Sequence, residues 1–247
     1  MAVTIDSLIT ANQAGLHALE ERLGYRFRDL RRLQQALVHR SYAYEQGRGF
    51  TADNETLEFL GDAVLDLAVG STLFERFPAM REGELTRLRA ALVNEGHLAV
   101  MARAVDLGPH LLLGRGEEVS RGREKASILA SAYEALLGAV FLDAGYESAA
   151  RLVEDHFAEW FGSEERLLFV DSKSKLQELL QERYNEGPVY LLENEEGPAH
   201  QKRFTISVRF RGVPLATGMA GNKKEAEQQA AARAVEQLRA GTLPLPD

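Results

Sequence analysis

From about Leu16 to Phe161 apolar residues return three and four positions apart, and no stretch alternates apolar with polar in the manner of a half-buried strand. "LHALEERLG", "LRRLQQALVH", "ETLEFLGDAVLDLAVGSTLFERF", "ELTRLRAALVNEGHLAVMARAVDLG" and "SILASAYEALLGAVFLDAG" carry this period. "FRDL", "RFPAMREG" and the Gly-rich "LGRGEEVSRGREK" punctuate it. A chain so patterned can bury its apolar stripes only by packing helix on helix, so the first part is read as all-α.

The pattern changes after "WFGSEERLLFVDS". "KSKLQELLQERYNEG" is an amphipathic helix that should stop near Gly187–Pro188. Three short β-type runs follow, "VYLLENEEG", "RFTISVRF" and "VPLATGMA", and the Ala-rich "GNKKEAEQQAAARAVEQLRAG" closes the series. The order α-β-β-β-α suits a small sheet with both helices on one face. The expected organisation is multidomain: an all-α domain over 14–162, a linker over 163–172, and a small α+β module over 173–240.

Charge divides along the same line. Of the net charge of -8, residues 173–239 carry +2, residues 1–172 carry -9, and Asp247 supplies the remaining -1. The chain has no cysteine, which excludes disulfides, thiolate zinc sites and cysteine nucleophiles. The start lacks the basic and apolar regions of a secretory signal. The longest apolar run, about "ALLGAVFL", is far short of the roughly 20 residues of a membrane span. A cytoplasmic protein with no membrane partner is the expectation. No P-loop, G-x-S-x-G or H-E-x-x-H is present, so no organic cofactor is expected.

Within "NETLEFLGDAVLDLAV" (54–69), Glu55, Glu58, Asp62 and Asp66 fall within roughly 80° of one another on a helical wheel, opposite Leu57, Leu60, Val64, Leu67 and Ala68. Like charges one turn apart weaken a helix. A divalent cation would offset that repulsion, and Mg²⁺ favours a few carboxylate oxygens plus substrate phosphate. Glu58 and Asp62, one turn apart, can face a single ion. Glu134 lies in a second, strongly apolar helix with Ser131 one turn earlier, and there it needs either a metal or a basic partner. Periodicity alone leaves open that these acids only line a solvated face or form salt bridges.

The module offers polar groups suited to duplex RNA, which is read through minor-groove hydroxyls and phosphates. Gln177 and Glu178 lie on its first helix, His200 in a turn, and Asn222, Lys223 and Lys224 at the start of the last helix, where backbone N–H groups already favour phosphate. Taken alone, this is equally a capped helix with a solvated first turn.

"NETLEFLGD" (54–62) resembles the signature of ribonuclease III, the endonuclease of double-stranded RNA. The resemblance continues in "ALVHRSY" (36–42), "FPAMREGELTRLRAALV" (77–93), "LGRGE" (113–117) and "SILASAYEALLGAVFLDAG" (127–145). The module resembles the double-stranded-RNA-binding domain that follows the nuclease domain in bacterial enzymes. The resemblance covers roughly 16–239. It implies a homodimeric, Mg²⁺-dependent endoribonuclease, with Mn²⁺ able to substitute, that leaves 5′-phosphate and 3′-hydroxyl ends and matures rRNA and other structured precursors.

The same resemblance implies Glu58, Asp62 and Glu134 as catalytic metal ligands, together with the position of Ser131. Glu55 and Glu82 match acids associated with substrate and dimer contacts, and Phe59 matches an aromatic of the dimer interface. It also makes Gln177, Glu178, His200, Asn222, Lys223 and Lys224 the RNA-binding set. His39 in "VHRSY" is expected to orient loops rather than move protons. The family usually has Asp at Ser131. A neutral hydroxyl is the weaker ligand, although it could still hold a water of a hydrated ion. A duplex-RNA-binding scaffold with a degenerate nuclease domain is the rival that this departure favours and the remaining acids oppose.

Overall fold

The computed structural model describes residues 3–47, 52–162, 172–197 and 202–242. The chain separates into two compact units, Met1–Gly162 and Ser163–Asp247. The expected linker lies almost wholly outside the described residues.

Unit 1 is helical: α1 (Ile5–Leu23), α2 (Leu30–Ala36), α3 (Arg40–Gln46), α4 (Glu55–Arg76), α5 (Glu82–Leu92), α6 (Glu95–Ala104), α7 (Arg115–Val119), α8 (Ala126–Ala144), α9 (Tyr146–His156) and α10 (Ala158–Phe161). The most apolar of these, α8, forms the axis, with α2, α4, α6 and α9 packed around it. Its length and composition would suffice to cross a bilayer. Here it is enclosed by other helices, with Tyr133, Leu136, Leu137, Ala139 and Val140 fully buried. Burial of that kind stabilises by about 1.5–3 kcal/mol per large side chain.

Two boundaries differ from the periodic reading. α1 starts at Ile5, well before Leu16, because Thr4 and Ser7 form a reciprocal capping box. Its first turns carry Ile5, Leu8 and Ile9, and Leu8 is buried against Val38 and Ala43. The single stretch read over "ELTRLRAALVNEGHLAVMARAVDLG" is two helices, α5 and α6, parted at Asn94, whose side-chain oxygen accepts the His97 backbone N–H at 3.1 Å. Asn is a strong N-cap, and here it restarts the helix.

The wheel of α4 also needs a correction. Leu57, Val64 and Ala68 are buried as expected, but Leu67 is 57% exposed. The buried arc is turned toward Gly61, Leu65, Val69 and Leu73. Phe59, Leu67 and Phe74 are left as an apolar stripe in solvent, with Phe59 81% exposed.

Unit 2 runs α11 (Ser172–Tyr184), β1 (Val189–Glu196), β2 (Arg203–Phe210), β3 (Val213–Ala220) and α12 (Lys223–Arg239). The strands form one antiparallel sheet in the order β1-β2-β3. Along β2, Val208 and Phe210 enter the core two residues apart. Ser207, between Ile206 and Val208, is buried as well, its hydroxyl donating to Glu193. Val208 and Phe210 meet Leu176, Leu180, Ala230, Ala231 and Ala234 of the two helices in one core. At Gly218 an added Cβ would lie 2.1 Å from the Ala226 carbonyl oxygen, so α12 rests directly on the β3 backbone. The Ala-rich face of α12 permits that approach.

Candidate active site and nucleic-acid interface

α4 and α8 cross where each has a glycine. A Cβ on Gly61 would stand 1.8 Å from the Glu134 carbonyl oxygen, and one on Gly138 would stand 2.2 Å from the Leu57 carbonyl oxygen. No side chain fits at either place, so the two backbones touch. Glu58 and Asp62 flank Gly61, while Glu134 and Ser131 lie one and two turns before Gly138. The crossing thereby sets the acids of one helix against those of the other.

The Glu134 carboxyl records that placement. Burial pushes its pKa up to about 7, and the negative charges of Asp62, Glu58 and Asp66 push in the same direction. Among the described residues Glu134 has no basic partner. The salt-bridge alternative therefore does not hold for this residue. Asp62 is exposed, and Glu58 and Ser131 are partly buried. Among the described residues no three His, Asp or Glu side chains already converge at metal-ligand spacing. The donors are hard oxygens, they repel one another, and one of them is a half-buried carboxyl that lacks a cation. That donor set fits a hard divalent cation.

Glu58 and Ser131 lie on the wall of a cleft of about 340 Å³, shared with Glu55, Arg40, Lys125 and Asn54. Asn54 is almost fully buried and anchors the start of α4. Its side-chain amide donates to the Ala36 carbonyl at 3.3 Å, and its backbone N–H donates to Val38 at 2.9 Å. Glu55 accepts from Arg40 at 3.1 Å. His39 and Glu117 also line the cleft, and with Arg40 they border a wider hollow of about 1230 Å³ beside α3. His39 caps α3, its Nδ1 accepting the Ser41 N–H at 3.3 Å, and burial lowers its pKa. The expected orienting role agrees with this geometry.

Lys125, Glu117 and Arg40 were not singled out in the sequence. Lys125 Nζ donates to Glu117 at 2.6 Å and to the Ser120 hydroxyl at 2.8 Å, and that bond lowers the Glu117 pKa. The 113–125 segment is docked on α3 by Gly114 N–H to the Ser41 hydroxyl and Arg115 N–H to Glu45. The signal available was a cluster of charges inside a Gly-rich stretch that reads first as punctuation.

Glu82 and Asp66 are not brought into the cleft. Both line a separate groove with Leu67, Phe74, Met80 and Leu85. There Asp66 faces Arg89 at 3.8 Å, and Glu82 accepts the Thr86 hydroxyl at 2.9 Å. Asp66 therefore reaches Glu134 through its field while its carboxylate lies against Arg89. Phe59 lies on the exposed stripe of the same helix.

In unit 2, Asn222 caps α12 by accepting the Glu225 N–H at 2.8 Å. Lys223 and Lys224 are exposed in the first turn, and Lys223 Nζ lies 5.6 Å from the Phe204 ring centre. Gln177 is exposed on α11, and Glu178 accepts from Lys175 at 3.0 Å. His200 lies outside the described residues.

Comparison with known proteins agrees in both units. Residues 29–160 match the family model "Ribonuclease-III-like", and residues 172–238 match "Double-stranded RNA binding motif". The chain is 58% identical to "Ribonuclease 3" of Desulfotalea psychrophila over 239 residues, 96% of this chain and 99% of the relative. It is 48% identical to "Ribonuclease 3" of Syntrophobacter fumaroxidans, covering 90% and 94%. A solved nuclease domain of ribonuclease III from Campylobacter jejuni is 46% identical, with a TM-score of 0.53, covering 58% of this chain and 99% of that one.

Proposed function

Because this chain belongs to the ribonuclease III family, we propose that Glu58, Asp62, Ser131 and Glu134 form its hydrolytic site, with Mg²⁺ as the working ion and Mn²⁺ as a substitute. The chain is an endoribonuclease with a double-stranded-RNA-binding domain, and the family is metal-dependent. What supports the site is the unpartnered Glu134 carboxyl, pushed up to about 7 beside Asp62 and Glu58 at the glycine crossing.

When bound, the cation supplies Lewis acidity, activates water for attack on the scissile phosphate and steadies the leaving oxygen. Glu58, Asp62 and Glu134 hold their negative charge toward that point. Ser131 offers a neutral oxygen that can orient a water. Arg40 and Lys125 also line the cleft, where they pair with Glu55 and Glu117 and offset part of the acids' charge. The products carry 5′-phosphates and 3′-hydroxyls, and the substrates are rRNA and other structured precursors in the cytoplasm.

Gln177, Glu178, His200, Asn222, Lys223 and Lys224 contact the duplex. The lysines and the α12 N-terminus meet phosphate. The exposed stripe of Phe59, Leu67 and Phe74 supports a homodimer, as does the likeness to the Campylobacter jejuni domain, whose solved structure concerns a region involved in dimer formation. Phe59 and Glu82 would then lie at the subunit boundary. The test is incubation of the full chain with an end-labelled RNA hairpin in Mg²⁺ and in EDTA. Cutting within the duplex in Mg²⁺ alone supports the reading, and equal cutting in EDTA overturns it.

A further inference from the structure

Among the described residues four other than glycine hold a left-handed backbone: Asp106, Arg121, Asn185 and Arg211. Residues with a Cβ seldom adopt that conformation, and it persists only where the surroundings fix it. Three of the four spend their side chains within the chain. Asp106 pairs with Arg22, Asn185 accepts the Gln181 amide at 2.8 Å, and Arg211 donates to Glu186 at 2.9 Å. Arg121 differs. At φ 56° and ψ 42° it is fixed through its main chain alone. Its N–H donates to the Glu118 carbonyl at 3.2 Å, and its carbonyl accepts the Glu124 N–H at 3.0 Å. Its side chain is exposed and has no partner among the described residues.

Its neighbours place it at the rim of the active cleft. The Ser120 hydroxyl accepts from Lys125 at 2.8 Å and donates to the Glu117 main-chain carbonyl at 3.2 Å. Gly122 packs so closely that a Cβ there would lie 2.9 Å from that same carbonyl oxygen. Glu117 and Lys125 both line the cleft. The cations around them are already committed, Lys125 to Glu117, Arg123 to Glu118 and Arg40 to Glu55. Of the charged side chains in 113–125, only Arg115, Arg121 and Glu124 have no partner among the described residues. A polyanion that approaches this cleft of carboxylates therefore finds its inner cations paired and a free guanidinium at the rim.

We propose that Arg121 is a substrate contact of the nuclease unit: its guanidinium takes a backbone phosphate of the duplex to one side of the scissile bond and helps set the strand's register over the cleft. The assignment rests on the reading of that cleft as the place where RNA is cut. Arginine suits the task, because its planar fork matches a pair of phosphate oxygens and its charge is permanent. Contacts of this kind position a duplex without reading its bases. Glycine or asparagine would hold the left-handed backbone with less strain, but neither offers a cation. The strained turn is kept for the side chain it carries.

The test is binding of the full chain to an end-labelled RNA hairpin in EDTA across a salt series, read beside the melting temperature. Arg121→Asn removes the cation and places there a residue at ease in the left-handed conformation. It should melt no lower than wild type, yet bind about fivefold more weakly at low salt, the upper range for an exposed charge pair. Its slope of log affinity against log salt should fall by about 1. Arg121→Lys keeps the charge and should keep the slope. Wild-type affinity and slope in Arg121→Asn overturn the proposal. A lower melting temperature in that variant overturns it too, since the guanidinium would then serve the fold, as does a slope lost in Arg121→Lys. Cutting in Mg²⁺ is scored separately: a wild-type chain that binds through Arg121 without cutting sinks the hydrolytic reading and leaves this contact standing.

Discussion

Replacing Glu134 by Gln keeps the shape of the side chain and removes the charge that the glycine crossing holds against Asp62 and Glu58. Raising a carboxyl from its ordinary 4.5 to about 7 costs the ionised metal-free protein about 3 kcal/mol, at about 1.4 kcal/mol per tenfold change in proton affinity. Water reaches the partly exposed group and screens it, so we expect about 1–2 kcal/mol in practice. A folded-state pKa above the unfolded one means that the native state holds its proton while the unfolded chain loses one. Wild-type stability therefore falls as pH rises from about 4.5 through about 7 and is level beyond that. Glu134→Gln lacks this slope. In EDTA at pH 8 its first unit should melt about 3–6 °C above wild type, on the scale of about 2–4 °C per kcal/mol for a domain of this size. Near pH 4.5 the two should melt together. Mg²⁺ should raise the wild-type midpoint more than the variant's, and the variant should bind a labelled hairpin without cutting it. Calorimetric scans across pH, with and without Mg²⁺, decide the point. A variant less stable than wild type at pH 8 in EDTA would show that Glu134 serves a buried cation instead, and the assignment of the site would fail.

Ser131→Asp adds a fourth carboxylate beside the cleft. It should lower the Mg²⁺ needed for half-maximal cleavage while lowering the melting temperature in EDTA, and an unchanged Mg²⁺ requirement would remove Ser131 from the ligand set. Lys223→Ala with Lys224→Ala should weaken binding to all duplexes alike and reduce the slope of log affinity against log salt by up to about 2, since phosphate contacts carry no base identity. A shifted sequence preference at constant affinity would contradict it. Deleting residues 163–247 should leave Mg²⁺-dependent cutting that weakens steeply as salt rises, because unit 1 carries the excess of acid; identical salt profiles with and without the deleted part would refute this division of labour. Gly61→Ala should destabilise by about 3 kcal/mol or more, the upper range of overpacking, as read from the urea midpoint.

Strands β1–β3 and helix α12 follow the sequence to within a residue or two, because alternating residues, a two-residue turn and an Asn cap each act locally. The acids proposed for the site stand out as carboxylates inside apolar helices, but periodicity leaves a solvated face or salt bridges open. The family resemblance is what favours a metal site. What escaped the sequence depends on tertiary partners. Leu67 reads as core on a wheel, but which arc of α4 is buried was set by where α8 crosses it. Asp66 shares a helical face with Asp62 and yet turns to Arg89, a residue on another helix. Lys125 and Glu117 enter the cleft only because the Gly-rich segment docks on α3 through Ser41 and Glu45. No period in a single segment encodes those meetings.

The reciprocal glycines restrict how this chain can change over time. What a methyl group at Gly61 or Gly138 would strike is main chain, the carbonyls of Glu134 and Leu57. A clash with a side chain can be relieved by shortening the neighbour, but every residue carries the same carbonyl. No second substitution in the facing helix can restore the fit, so neither position has a compensating partner. A library that randomised both helices together should return glycine at 61 and 138 in every active clone, while residues a single turn away drift in pairs.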